Sequence, residues 1–131
     1  MSAPARPLPA TWSEFMYRIA VTSQNFRTIT PHAGRTRRFL VYRGAPGGGA
    51  ELIDQLDLPK EQALHDWGNK DGHPIFGMDV VLCGSCGHNF VAKLAKRGVD
   101  AVATNETDPE KAVRDYLLGQ ISHAEVHDHS C

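Results

Sequence analysis

The sequence predicts a single small α/β domain. The chain has 131 residues, of which 41% are hydrophobic and 22% are charged, a balance typical of a globular protein. A chain of this length buries enough surface for one core, and nothing in it indicates a second one. Residues 79–104 contain an apolar run, an amphipathic stretch and another apolar run. This order is typical of a strand-helix-strand unit with parallel strands.

The first half of the chain predicts antiparallel strands behind an N-terminal arm. Residues 1–16 contain three prolines and no long apolar run, which predicts a disordered arm and not a secretion signal. Pro59 predicts the start of a helix that ends near residue 67, followed by an irregular linker over 68–77. Three segments rich in β-branched residues or alternating in polarity predict strands, with an antiparallel pair formed by the first two: residues 17–22, 39–42 and 51–54.

The second half predicts strands that alternate with helices. Residues 79–83 are apolar almost throughout, so we expect a strand that is buried on both faces and parallel to its neighbour. A helix over 89–97, ended by Gly98, leads to a strand at 99–104. Asp108, as an N-cap before Pro109, predicts a last helix that ends at Gly119. The predicted domain therefore spans residues 17–120, and residues 121–131 form a His/Cys-rich tail.

Charge is distributed unevenly along the chain. The net charge of −1 hides seven arginines against a single acid in residues 1–50, and seven cationic against fourteen acidic residues after that. No acid occurs over residues 16–50, so this basic run predicts an anionic partner. A charged ribbon that protects a sheet edge from aggregation is an equally good interpretation.

Composition also indicates the compartment and excludes some partners. No window approaches the ~20 apolar residues that a membrane helix needs. Three cysteines do not fit a disulfide framework, so we expect reduced thiols in a cytoplasmic protein without a membrane partner. Nucleic acid is not an expected partner either, because the basic half has neither an aromatic stacking surface nor clustered carboxylates.

The segment Cys-Gly-Ser-Cys-Gly-His at 83–88 bears the most informative chemistry. Cys83, Cys86 and His88 combine two thiols with an imidazole, a set that suits zinc, copper or an iron-sulfur cluster. The segment follows a predicted strand and precedes a helix, where backbone N–H groups and the helix dipole favour negative charge. One C-x-x-C motif supplies only two thiolates, so a redox dithiol and simple packing of small loop residues stay open.

Further histidines lie outside this segment. His32 and Arg35, in the loop at 30–35, are suited to contact an anion or a cluster, with a solvated loop histidine as the alternative. We expect His65 and His73 at the surface. The tail at 121–131 holds three histidines and Cys131, which can bind metal, although we favour a frayed terminus.

Several stretches together resemble the NifX-like, dinitrogenase iron-molybdenum cofactor biosynthesis family. The resemblance covers residues 17–43 and 79–119, and it lies in the order and spacing of its motifs. These are Ile-Ala-Val-Thr-Ser at 19–23, Thr-Pro-His-Ala-Gly-Arg at 30–35, Asp-Val-Val-Leu-Cys-Gly at 79–84 and Asp-Pro-Glu-Lys-Ala-Val at 108–113.

The resemblance implies a ribonuclease H-like fold, a mixed sheet flanked by helices, in a protein that binds or carries a metal-sulfur cofactor without catalytic turnover. The cofactor is an iron-sulfur or iron-molybdenum-type cluster, with a single zinc or copper ion as the alternative. Nitrogenase or cofactor-assembly proteins are the implied partners, and a homodimer stays open. The alternative function is a cytosolic thiol redox protein that uses the C-x-x-C pair.

The resemblance also implies which residues form the site. Two loops match the family, one around His32 and one rich in glycine after Leu82. The second loop differs from many relatives in carrying thiols and a histidine, which indicates a subgroup that holds metal through thiolates. The expected cofactor contacts are His32, Arg35, Gly84 and Gly87, and the expected metal ligands are Cys83, Cys86 and His88.

Overall fold

A mixed five-stranded sheet with helices on both faces forms the domain. The computed structural model describes residues 16–46, 49–67 and 72–124. The strands are β1 (Tyr17–Thr22), β2 (Arg38–Gly44), β3 (Ala50–Asp57), β4 (Val80–Cys83) and β5 (Asp100–Ala103), and the helices are α1 (Leu64–Trp67), α2 (His88–Ala95) and α3 (Pro109–Leu117). The sheet order is β3-β2-β1-β4-β5. The predicted α/β class is therefore confirmed.

Strand β1 occupies the centre of the sheet. It pairs antiparallel with β2 and parallel with β4, which in turn pairs parallel with β5. Strand β3 extends the sheet antiparallel to β2, with a bulge beside Val41 and Tyr42. All four residues of β4 are buried, as expected for a strand covered on both faces. The predicted parallel unit and the predicted antiparallel pair are both present.

Alternate residues of the strands face two separate cores, because successive side chains point to opposite sides of a sheet. Helix α2 covers one face, and the core there includes Ala20, Phe39, Val81, Phe90 and Leu94. Helix α3 covers the other face, with Val21, Leu40, Leu82, Val113 and Leu117.

The ends of the helices follow the predicted signals. The Asp108 carboxylate accepts the backbone N–H groups of Glu110 and Lys111 at 3.1 and 3.3 Å and so caps α3. Gly98 and Gly119 follow α2 and α3 with φ of 75° and 74°, a left-handed conformation that glycine adopts without strain.

The predicted helix over 59–67 is wrong in part. A 3₁₀ turn occupies Lys60–Gln62, and α1 covers only Leu64–Trp67, with Ala63 extended between them. The extended backbone of Ala63 (φ −61°, ψ 140°) breaks the helix, and Ala63 and Leu64 are both buried at the break. Strands β2 and β3 are also longer than the predicted segments 39–42 and 51–54.

The prediction that His73 lies at the surface is wrong, whereas His65 is exposed as expected. Only 3% of His73 is exposed. Its Nε2 lies 2.6 Å from the carbonyl oxygen of Gln62, and its Nδ1 accepts the N–H of Ile75 at 3.1 Å. These contacts fit a neutral ring with its proton on Nε2. Burial lowers the pKa of His73, which also favours the neutral form.

Most of the predicted arm and tail lies outside the described residues, which omit 1–15 and 125–131. Residues 121–124 are described, and the N–H of Ala124 donates to the carbonyl of Ala103 at 2.9 Å. Within the described ranges, no helix has the length and apolar character needed to cross a membrane.

Candidate functional site

Three loops emerge together at one edge of the sheet. Strands β1, β4 and β5 run parallel, so their carboxyl ends meet at this edge. The loops that follow them are 23–37, 84–87 and 104–108. The N–H of Ile29 donates to the carbonyl of Thr107 at 2.9 Å, which ties the first loop to the third.

The first two loops contact each other directly, as a shared site at this edge requires. The N–H of Gly84 donates to the carbonyl of Thr30 at 3.1 Å. The N–H of His32 donates to the hydroxyl of Ser85 at 2.8 Å, and the N–H of Ala33 donates to the Ser85 carbonyl at 3.0 Å. The sequence thus brings the predicted histidine loop and the predicted C-x-x-C loop into one surface.

Gly84 makes this close approach possible. A Cβ on Gly84 would lie 3.1 Å from the carbonyl carbon and oxygen of Thr30 and 3.2 Å from the nitrogen of Pro31. Such distances are too short for an unstrained methyl group. Glycine at this position therefore lets the two backbones touch.

His32 stands out at this junction because its backbone is left-handed, with φ of 63° and ψ of 57°. Only a small share of non-glycine residues has positive φ, so the conformation needs specific support. Its carbonyl accepts the N–H of Arg35 and the hydroxyl of Thr36, both at 3.0 Å. The His32 side chain is exposed, and its imidazole makes no hydrogen bond with any residue that the structure describes. The ring is therefore accessible to a ligand.

Arg35 differs from the three arginines that follow it in the chain. Arg37 and Arg38 contact the carboxylate of Asp57 at 3.3 and 3.2 Å, and Arg43 contacts Glu51 at 3.1 Å. Strand β3 thus supplies acids that the basic run lacks. The exposed Arg35 guanidinium forms no ion pair with a residue in the described ranges, so its charge, in the turn that follows His32, has no such compensation.

Both thiols of the C-x-x-C motif are turned into the core. Cys83 and Cys86 have no exposed surface and pack in the core beneath α2. The Cys83 thiol donates to the carbonyl of Val102 at 3.5 Å. A hydrogen bond with Cys83 lowers the pKa of the Cys86 thiol, although burial acts in the opposite direction.

The predicted metal ligands are not gathered into a metal site in this arrangement. His88 is exposed at the first position of α2, whereas the two thiols are buried. Among the described residues, no group of three or more His, Cys, Asp or Glu side chains is arranged to hold an ion. Ligation by Cys83, Cys86 and His88 stays a prediction.

The N-terminus of α2 lies in the same surface. Gly87 is its N-cap, has extended backbone and offers no side chain to cap this end. By contrast, Asp108 caps α3, and the Glu106 carboxylate accepts the N–H groups of Thr107 and Asp108 at 3.0 Å. The α2 end therefore faces the candidate site with its backbone amides and the positive end of its dipole.

Sequence reasoning missed Ser85, which bridges the two loops. The only sequence signal was a hydroxyl residue inside a glycine-rich loop after a buried strand.

A separate cleft of about 350 Å³ lies along the outer edge of β5, between Tyr116 and the segment 119–124. None of the predicted site residues lines it.

Comparisons with known proteins show which family this chain is similar to. A family profile described as dinitrogenase iron-molybdenum cofactor matches residues 16–119. No curated protein matches the sequence at a significant level.

Three solved structures share the fold. PH0822 is 16% identical over 82% of this chain and 94% of its own, with a TM-score of 0.61. Protein mj0327 of Methanocaldococcus jannaschii, a dinitrogenase by assignment only, is 12% identical over 83% and 95%, with a TM-score of 0.56. The apo form of the orange protein of Desulfovibrio gigas is 24% identical over 83% and 93%, with a TM-score of 0.54. Because the profile spans most of the chain, the chain belongs to the dinitrogenase iron-molybdenum cofactor family.

Proposed function

We propose that this protein binds and carries an anionic metal-sulfur cofactor of the iron-molybdenum type, as cargo and without turning it over. The observation that carries the proposal is the His32 imidazole, which is exposed at the junction of the two loops on a left-handed backbone. Strained residues that the surrounding structure holds in place are concentrated at ligand-binding sites. Family membership supports a role connected with this class of cofactor.

The residues around His32 suit an anionic, sulfide-rich cargo. An imidazole can ligate a metal through one ring nitrogen or donate an N–H to sulfide. The Arg35 guanidinium adds a positive charge and a planar set of donors in the same turn. Gly84 keeps the C-x-x-C loop in contact with the loop of His32, and Gly87 begins α2, whose N-terminal backbone amides suit an anionic cargo.

In this arrangement the cargo binds to the exposed surface of the two loops and does not contact the buried thiols. Cys83 and Cys86 would have to leave the core before they could ligate a metal, because neither thiol has exposed surface. Thiolate ligation together with His88, for a cluster or for a single zinc or copper ion, therefore requires a change in the loop at 84–87. The primary contacts that we propose are His32, Arg35, Gly84 and Gly87.

The remaining features of the proposal follow from the cargo. Donor and receiver are nitrogenase or cofactor-assembly proteins, and the role is that of a binding protein and not an enzyme. The thiol redox alternative has no support from the family or from the similar structures. Burial of both thiols also keeps a large disulfide partner away from them.

An anaerobic titration with tetrathiomolybdate, a small anionic molybdenum-sulfur species, tests the proposal. We expect saturable binding to the parent protein and a loss of about tenfold or more in affinity for His32→Ala, the loss typical of one charge-assisted hydrogen bond or a ligand. His123→Ala is the matched control, because His123 is an exposed histidine that lines the cleft beside β5 and is not among the proposed contacts. Equal affinities of the parent and His32→Ala, or a loss confined to His123→Ala, would contradict the proposal.

A further inference from the structure

The Ser85 side chain contacts the proposed cargo site through the backbone of His32. Its hydroxyl accepts the His32 N–H at 2.8 Å, and its carbonyl accepts the next amide, that of Ala33, at 3.0 Å. Two consecutive backbone amides of the first loop thus donate hydrogen bonds to one residue of the second loop. On the other side of His32, the Thr36 hydroxyl donates to the His32 carbonyl at 3.0 Å. Both peptide groups of His32 are therefore held.

We infer that Ser85 is a positioning residue: its hydroxyl holds His32 in the left-handed conformation and so fixes the direction in which the imidazole projects. The inference deepens the proposed function and rests on it, because the direction of the ring matters only if the ring meets a cargo. The direction depends on the backbone, since a change from left-handed to extended backbone turns the Cα–Cβ bond away from its present orientation.

The physical reason is that hydrogen bonds to Ser85 offset the backbone strain of His32. A left-handed conformation is unfavourable for a residue with a Cβ, and the two bonds to Ser85 offset that strain. Without the hydroxyl, the His32 N–H loses its acceptor in the junction. The residue then gains by relaxing to a right-handed or extended backbone, where its amide reaches water.

The C-x-x-C motif anchors Ser85 in this position. Cys83 and Cys86 flank the segment 84–85, and both side chains are fully buried in the core beneath α2. The two small side chains fix both ends of the loop, and Gly84 lets it contact the first loop. The thiols therefore contribute to the site through the placement of Ser85, even while they make no contact with solvent.

The first test uses the protein without cargo and is independent of the proposed function. Backbone NMR shifts of residue 32 are compared in the parent, Ser85→Ala and Ser85→Thr, with thermal unfolding to confirm that each variant is folded. We expect Ser85→Ala to move the Cα and amide shifts of residue 32 away from left-handed values. Ser85→Thr retains the hydroxyl and should restore them. Unchanged shifts in Ser85→Ala would overturn the inference.

The second test is a double-mutant cycle with tetrathiomolybdate as the probe. Ser85→Ala should weaken binding by about tenfold, comparable with the strain that a left-handed residue carries. In a His32→Ala background the same change should have no further effect, because the imidazole that Ser85 positions is gone. Independent, additive losses would overturn the inference, since they mean that Ser85 contacts the cargo itself. If the parent binds no tetrathiomolybdate, the proposed function fails, while the NMR comparison still decides the role of Ser85.

Discussion

Replacement of Gly84 by alanine adds a methyl group where the two site loops touch. The new Cβ would lie 3.1 Å from the carbonyl carbon and oxygen of Thr30 and 3.2 Å from the nitrogen of Pro31. All three are backbone atoms, which cannot rotate away as the end of a side chain can. The loops must separate by a few tenths of an ångström, and the bond from Gly84 N–H to the Thr30 carbonyl lengthens. Overpacking of this kind destabilises a domain by about 1–3 kcal/mol.

For a domain of this size, that loss lowers Tm by roughly 4–12 °C, measured by circular dichroism or calorimetry. Gly77→Ala is the matched control, because no atom lies within 4 Å of a Cβ at Gly77. We expect its stability to stay within about 0.5 kcal/mol of the parent. A Gly84→Ala protein as stable as the Gly77→Ala control would refute the packing of the two loops that underlies the site.

Three further predictions concern other parts of the molecule. Burial lowers the pKa of His73, so the folded protein takes up a proton less readily than the unfolded chain. Stability should therefore be full above pH ~6.5 and fall as the pH drops below it, and urea unfolding of His73→Phe should show a weaker decline. An unchanged pH dependence would remove His73 as its source. Asp108→Ala should lose about 1 kcal/mol of stability through the α3 cap in denaturant unfolding, with Asp108→Asn close to the parent. A loss equal for both variants would argue against capping. Arg35→Ala should weaken tetrathiomolybdate binding more at low than at high salt, because ions screen an exposed charge, while Arg27→Ala, an exposed arginine outside the junction, should change it little. A salt-independent loss would show that the charge of Arg35 is not the cause.

The strands of the parallel unit could be predicted from the sequence because the apolar composition of each segment indicates that it is buried. Strand β4 is apolar throughout and lies inside the sheet between β1 and β5, where both faces are covered. The segment after β3 could not be predicted in the same way. His73 precedes a proline and resembles a surface turn, yet its contacts come from Gln62 and from the ring of Trp67, whose centroid lies 5.2 Å away. Those contacts exist only once the chain has folded back.

The candidate site was predictable in its components and not in its arrangement. The position of His32 and of the C-x-x-C motif in loops follows from glycines and from the ends of predicted strands. The thiols, however, point inward because Cys83 continues the buried strand, whereas the pattern alone equally indicates exposed ligands. The bond between His32 and Ser85 joins residues 53 positions apart, so no local pattern predicts it.

Amide NMR mapping with tetrathiomolybdate under anaerobic conditions tests the central claim most directly, because it locates the bound probe on the folded protein. We predict that the largest shifts on titration fall in residues 32–36 and 84–89, the two loops and the start of α2, with little change along the outer edge of β5. Shifts centred on the cleft beside Asp100 and Tyr116, or no saturable shifts at all, would contradict a cargo site at the His32 junction.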